Sequence, residues 1–345
     1  MNVRGRLLRW YRRHKREMPW RETRDPYAIW VSEIMLQQTR VETVIPFYHR
    51  FLERFPTVEA LARAKESDVL ARWSGLGYYR RAKNLRAAAA VVAREHGGRV
   101  PSSIDALLEL PGIGPYTAAA IASIAYGVPA AAVDGNVIRV IARWEGLEGS
   151  RDDARLRREV TARAEALAPG PDPGDWTQAL MELGATICLP REPLCERCPV
   201  AGACVARASG RPDRFPDRGR TAAVRVERRV LLLLRRRSRV LLVPDPLDGG
   251  ATLAPPSAIV TNGRSAARVA RALGRAHGAA GDPLGPTRTF RHQTYSHDYT
   301  IEVWEADAAR DGSAGVDPRE GSRWSALADL PRLPLRATTL KALGR

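Results

Sequence analysis

Lysine is almost missing from this chain of 345 residues. It occurs at Lys15, Lys65, Lys83 and Lys341, so nearly all of the basic side chains are arginine. A guanidinium cannot form an imine, so Schiff-base chemistry would need one of these lysines or a terminal amine. Acidic residues are also in short supply, 38 against 55 basic ones, which leaves a formal charge of +17 with histidine neutral. Such a surplus favours a polyanionic partner through steering and counterion release, although arginines scattered for solubility give the same total. No run of 18 apolar residues is present, so no helical membrane span is expected. The opening MNVRGRLLRWYRRHKREMPW is basic without an apolar core, and the expectation is a cytoplasmic protein without a signal peptide. Cysteine is confined to one short run, Cys188-x6-Cys195-x2-Cys198-x5-Cys204. Two disulfides are disfavoured in such a chain. Four thiolates this close together can enclose one metal centre, and the spacing alone allows either zinc or a 4Fe-4S cluster.

Alternating strand patterns are lacking before about residue 222, so the first part reads as all-helical. Residues 1–20 suggest a short basic amphipathic helix with Leu7, Leu8 and Tyr11 on one side. Pro26 to Thr39 reads as a buried helix, and Val41 to Phe55 continues helically around Pro46. Thr57 can cap another short helix, Ser67 to Trp73 forms the next, and Arg80 to His96 is a long one stopped by Gly97-Gly98. Val137 to Trp144, Leu156 to Leu167 and Trp176 to Leu183 complete the set. Residues 205–222 are polar and rich in Arg, Pro and Gly, which marks a linker. Beyond it the pattern changes. Val230 to Leu234 and Val240 to Val243 suggest a hairpin with the basic tip RRRSR, and Ala266 to His277 suggests a helix. Tyr299, Ile301 and Val303 alternate as in a strand. Trp324, Leu327 and Leu330 suggest a short helix, followed by Leu335 to Leu343. Residues 223–345 thus form a smaller α+β domain.

The stretch Leu107 to Val140 organises the first domain. An apolar helix end leads into the turn Pro111-Gly112-Ile113-Gly114, and an alanine-rich helix follows from about Pro115. The glycines permit positive φ and leave N–H groups bare at a helix N-terminus, where an anion can bind. A plain αα-hairpin would carry the same residues. Glu33 interrupts an otherwise apolar helix, and burial there would raise its pKa towards that of a general acid, unless an arginine pairs with it. Asp134, in Val133-Asp134-Gly135-Asn136, can cap the next helix or stabilise a sugar cation. Gln38 lies near Glu33 at the helix end, and Leu76 and Tyr78 stand on a glycine-flanked turn from which an apolar wedge can enter a base stack. Each of these could equally be a solvated end or a core contact.

These segments resemble a known family. PYAIWVSEIMLQQTRVETVIPFY, GLGYYRRAKNL, LPGIGPYTAAAI, VDGNVIRV and the four-cysteine loop are similar to those of the adenine DNA glycosylases, within the helix-hairpin-helix superfamily that includes endonuclease III. The resemblance covers residues 1–204. It implies an all-α helix-hairpin-helix glycosylase domain, with a 4Fe-4S cluster on Cys188, Cys195, Cys198 and Cys204 in the loop 188–204. Glu33 would protonate adenine at N7, Asp134 would stabilise the oxocarbenium-like sugar, and Tyr116 would assist. Gln38 would intercalate opposite the wedge Tyr78, and Gly112, Ile113 and Gly114 would offer amides to a phosphate. Tyr116 stands where the bifunctional branch carries a lysine nucleophile, so the expected product is an intact abasic site. The second domain resembles the family's Nudix-like module that reads 8-oxoguanine, without the phosphohydrolase motif. Its recognition loop has two candidates, Phe290-Arg291-His292 and Tyr295-Ser296-His297. The expected partner is double-stranded DNA with A:8-oxoG or A:G mispairs, bound by a monomer in the bacterial nucleoid. A sister glycosylase acting on T:G, or a lesion-binding protein without catalysis, are the rivals.

Overall fold

The computed structural model describes residues 3–217, 224–245, 250, 252–261, 263–294, 297–309, 321–330 and 333–344. The chain divides into two compact units, Met1–Arg63 with Ala87–Thr221, and Ala64–Arg86 with Ala222–Arg345. In chain order the helices are α1 (Val3–His14), α2 (Pro26–Leu36), α3 (Val41–Arg54), α4 (Val58–Arg63), α5 (Glu66–Trp73), α6 (Arg80–Glu95) and α7 (Ile104–Leu108). Then come α8 (Pro115–Tyr126), α9 (Gly135–Glu145), α10 (Ala154–Leu167), α11 (Pro173–Thr186), α12 (Val205–Ala208), α13 (Ala266–Ala276) and α14 (Ala337–Ala342).

Helix starts follow the capping residues. The Asp25 carboxylate accepts from the N–H groups of Tyr27 and Ala28, with Pro26 in the first turn of α2. Thr57 accepts from Ala60 N–H at 3.2 Å, the cap its side chain predicts. α3 runs through Pro46 without stopping. α8 has no polar face because it is enclosed, packed against α2 and α11 with Thr117 to Ile124 all buried. Its alanines keep those neighbours close. Gly184 of α11 serves the same end, since a Cβ there would stand 2.6 Å from the Cβ of Asn136. A second core joins α1, α9, α10 and α11 through Leu7, Tyr11, Ile141, Leu156, Trp176 and Leu180.

The segment 205–217 is anchored within the first unit. Buried Arg143 donates to the carbonyls of Pro212 and Phe215, and Asp217 N–H donates to Gly149 O at 2.9 Å. A polar, arginine-rich composition does not announce this, because the anchors are backbone carbonyls rather than apolar side chains.

The second unit is α+β, as expected. Its strands are β1 (Arg225–Arg236), β2 (Arg239–Pro244), β3 (Leu253–Ala254), β4 (Ser257–Ile259), β5 (Leu284–Gln293), β6 (His297–Asp307) and β7 (Arg323–Ala326). The sheet order is β3-β2-β1-β6-β5, with β4 also on β1 and β7 on β2. β1 and β6 run parallel, in register from Arg225↔His297 to Arg235↔Asp307, and the other pairs are antiparallel. Val230, Leu232 and Leu234 face α13, while Leu231 and Leu233 face the cluster of Tyr299, Ile301, Val303 and Ala342. The sheet is therefore covered on both faces.

Three expectations are corrected. The basic hairpin tip shrinks to Arg237-Ser238, because Arg235 stays in the strand and pairs with Glu305 at 3.0 Å. Trp324 lies on a strand, β7, and not on a helix; its spacing to Leu327 mimics a helical turn, but its backbone pairs with Leu241 of β2. Phe290-Arg291-His292 is strand, paired with Thr300 and its neighbours on β6, and not a loop. Tyr295 and Ser296 lie outside the described residues.

Residues 64–86 group with the C-terminal residues, and the reason is specific. The hydroxyls of Ser74 and Tyr79 both donate to the backbone carbonyl of Leu335.

Candidate active site and cysteine loop

Glu33 sits in the last two turns of α2 and is only 5% exposed. Tyr116, in the first turn of α8, donates its hydroxyl to Glu33 Oε2 at 2.8 Å and lies 3.7 Å from the sulfur of Met181. Burial pushes the Glu33 carboxyl up to about 7; the Tyr116 hydrogen bond pulls it down, Asp134 pushes it up and Arg21 pulls it down. A carboxyl at that value exchanges its proton near neutrality, as a general acid must. The Tyr116 hydroxyl is raised well above its ordinary value, by burial first and then by the two carboxylates, so it remains a donor.

Asp134 is the cap of α9 and also lines the cleft that holds Glu33. One of its oxygens accepts from Val137 N–H at 2.7 Å and the other from the Asn136 amide at 2.9 Å. Burial raises its pKa, and these donors oppose the rise. Capping and chemistry are therefore compatible: the helix N-terminus holds the carboxylate still and favours its charge. Asn136 is itself fixed by Arg139, which donates to Asn136 Oδ1, to Gly184 O and to Cys188 O.

The cleft has a volume of about 860 Å³, and Trp20, Gln37, Gln38 and Gly114 also line it. No lysine is among its lining residues. Gln37 reaches Thr117 Oγ1 at 3.4 Å, and Gln38 is exposed with φ +56°. In the hairpin turn Gly112 has φ +78°, and Ile113 is buried with its N–H already bonded to Leu110 O at 3.1 Å. Ile113 thus anchors the turn, and its amide is already used within it. Tyr78 stands out at 47% exposed with φ +50°, whereas Leu76 is buried at 6%. Of the two wedge candidates only Tyr78 projects.

Sequence reasoning missed Glu182, which also lines the cleft. Its carboxylate is buried and accepts from Arg16 (2.9 Å to each oxygen) and Arg21 (2.8 Å). Burial alone would raise its pKa, but hydrogen bonds from Arg16 and Arg21 outweigh that and hold it near about 2. The signal was available: Glu182 interrupts the apolar ALMELGA just as Glu33 interrupts its own helix.

All four cysteines line one pocket, beside Arg143 and Arg207. None is in a disulfide. Arg143 donates to Cys188 Sγ at 3.4 Å. Among the described residues no group of three or more His, Cys, Asp or Glu is placed to hold a metal ion. Four thiols lining one pocket beside two guanidiniums, which can balance thiolate charge, are a donor set that fits zinc or an iron–sulfur group.

In the second unit, the described candidates for recognition meet at the β5–β6 hairpin. His292 and His297 each stack against Tyr299, with ring centroids 6.4 and 5.3 Å away. The Phe290 side chain packs against the cluster of Tyr299 and Ile301.

A helical unit with this hairpin, two carboxylates lining one cleft and a cysteine loop has the parts of a base-excision protein. Residues 31–165 match the HhH-GPD superfamily base excision DNA repair protein family. The chain is 44% identical over 207 residues to the adenine DNA glycosylase of Mycolicibacterium smegmatis, covering 60% of this chain and 70% of that relative. To the human adenine DNA glycosylase it is 45% identical over 213 residues, covering 59% of this chain and 39% of the relative. The chain belongs to the adenine DNA glycosylase family. It spans 39% to 41% of the length of the mammalian relatives and 60% of one from Buchnera aphidicola. A solved structure described as a thermostable thymine-DNA glycosylase is 36% identical, with TM-score 0.55, covering 60% of this chain and 95% of that one. A trapped endonuclease III–DNA intermediate, 24% identical with TM-score 0.50, shares the fold.

Proposed function

We propose that the protein is a monofunctional adenine DNA glycosylase that removes adenine mispaired with 8-oxoguanine or guanine in base excision repair. The observation that carries this reading is the buried Glu33 carboxyl, hydrogen-bonded by Tyr116 in a cleft that also holds Asp134. Adenine would be flipped from the duplex into the cleft, which is large enough for a nucleoside. Glu33 gives its proton to N7, which turns adenine into a neutral leaving group as the glycosidic bond breaks. Asp134, ionised at its helix N-terminus, stabilises the cationic sugar until water adds to it. No lysine is among the described residues lining the cleft, which supports a product strand left intact at the abasic site.

The similarity to a thymine-DNA glycosylase structure supports a second reading, excision of thymine from T:G. Glu33 favours adenine, because a purine offers N7 as a proton acceptor and thymine has no such atom. An excision assay on A:8-oxoG, A:G and T:G duplexes tests this. Adenine release from the first two supports the proposal, and thymine release alone contradicts it.

Cys188, Cys195, Cys198 and Cys204 would hold a 4Fe-4S cluster, which supplies cross-linking of the loop and a surface towards DNA. Hydrolysis needs no electron carrier. The second unit would be a Nudix-like module that reads 8-oxoguanine through the β5–β6 hairpin, near His292 and His297. The stacked rings at that hairpin support the assignment. A monomer acting on nucleoid DNA completes the reading, in keeping with the positive charge.

A further inference from the structure

The turn after α5 adopts a conformation that side chains rarely accept. Gly75 has φ +104°, Gly77 φ +72° and Tyr78 φ +50°. The strain at Tyr78 must be held by its surroundings. Part of the support is local. Trp73 Nε1 donates to Gly77 O at 3.1 Å, and Arg81 donates to Gly77 O at 3.2 Å while its guanidinium lies 5.3 Å from the Tyr78 ring and 5.5 Å from Trp73.

The rest comes from the far end of the chain. Leu335 O accepts from Ser74 Oγ at 2.6 Å and from the Tyr79 hydroxyl at 2.5 Å, and Leu335 N–H donates back to Ser74 Oγ at 3.1 Å. The Tyr79 hydroxyl in turn accepts from Gly75 N–H at 3.2 Å. Leu335 is fully buried among Val240, Leu242, Leu330 and Leu333, and Leu253 N–H bonds the adjacent Pro334 O at 2.8 Å. The turn is therefore clipped to the sheet by two hydroxyls that flank Tyr78 and Gly75.

We propose that Ser74 and Tyr79 are positioning residues that hold Tyr78 in its projecting conformation by clasping Leu335 of the C-terminal sheet. The inference rests on the DNA-glycosylase reading, and it gives the second unit a role besides reading a base. It sets the shape of the side chain that enters the base stack. Loss of the clasp leaves every group in the Glu33 cleft in place and loosens only the wedge.

The test uses the full chain and a mispaired duplex with 2-aminopurine beside the site Tyr78 enters, whose fluorescence rises when that step unstacks. Five variants are compared with the parent: Tyr79→Phe, Ser74→Ala, Ser74→Thr, Tyr78→Ala, and Tyr78→Ala combined with Tyr79→Phe. Tyr79→Phe and Ser74→Ala, each removing a hydroxyl that makes two hydrogen bonds, should each weaken duplex binding about five- to tenfold and lower the fluorescence rise. Ser74→Thr, which keeps the hydroxyl, should hold binding and the fluorescence rise near the parent's. In the Tyr78→Ala background Tyr79→Phe should have no further effect, since the side chain it positions is gone. Equal losses in both backgrounds would overturn the proposal by making Tyr79 merely structural, and so would a fluorescence rise that does not depend on Tyr78. Because the signal reports stacking and not chemistry, a parent that unstacks the duplex but releases no base sinks the activity reading, while losses in Tyr79→Phe and Ser74→Ala that vanish without Tyr78 still support the clasp.

Discussion

Tyr116 on α8 and Glu33 on α2 share one hydrogen, held at 2.8 Å across helices that are 83 residues apart in sequence. The bond favours the ionised carboxyl and so works against the burial that raises the Glu33 pKa. Tyr116 therefore trims the acid and keeps it titratable near neutrality.

Replacing Tyr116 with Phe removes that restraint. The Glu33 pKa should move further up, and the fall in activity at high pH should shift to higher pH. The single-turnover rate near neutrality should fall roughly tenfold, because the hydroxyl also orients the acid. A pH–rate profile of the variant checks both. An unmoved alkaline limb would separate Tyr116 from the acid.

For the parent, Glu33 must be protonated to act, so kcat/KM should fall as pH rises through about 7. Glu33→Gln should lower the rate by roughly 100-fold or more while leaving duplex binding near the parent's. It should also stabilise the fold at high pH. The folded carboxyl titrates about 7 against 4.5 in the unfolded chain, so the folded state binds the proton more tightly and the parent loses stability as pH rises through that window. Above it the cost is at most on the order of 3 kcal/mol. Thermal melts at pH 5 and pH 8 should show the variant's advantage only at the higher pH.

Glu182 behaves in the opposite sense. Its folded pKa is depressed, so its stabilisation is present above the ordinary carboxyl value and is lost as pH falls towards about 2. Glu182→Ala leaves Arg16 and Arg21 without their partner, and breaking such a buried pair costs about 3–5 kcal/mol. Chemical denaturation at pH 7 measures the loss, and the gap from the parent should narrow in acid.

Much of the helical unit was legible because its signals are local. Thr57 and Asp134 cap their helices, and the lone carboxylate in α2 marked the acid. The sheet was harder. β5 is exposed along almost its whole length, so it offers no alternation to read, and β7 is too short to outweigh a chance helical spacing. The attachment of residues 64–86 to the C-terminal sheet runs through hydroxyls and one carbonyl 256 and 261 residues away, which leave no periodic trace. Glu182 was legible and was passed over.

The cysteine loop predicts four irons and four acid-labile sulfides per chain in protein purified without oxygen. Cys198→Ser should lower that content and the melting temperature together. One zinc per chain and no sulfide would contradict the assignment.

The most direct measurement is single-turnover reaction of the parent with a duplex carrying adenine opposite 8-oxoguanine, analysed with and without alkali. The account predicts free adenine and a strand that breaks only after alkali. Breakage without alkali would contradict the monofunctional reading. An intact duplex with no adenine released, from protein holding its cluster, would contradict the role given to Glu33 and Asp134.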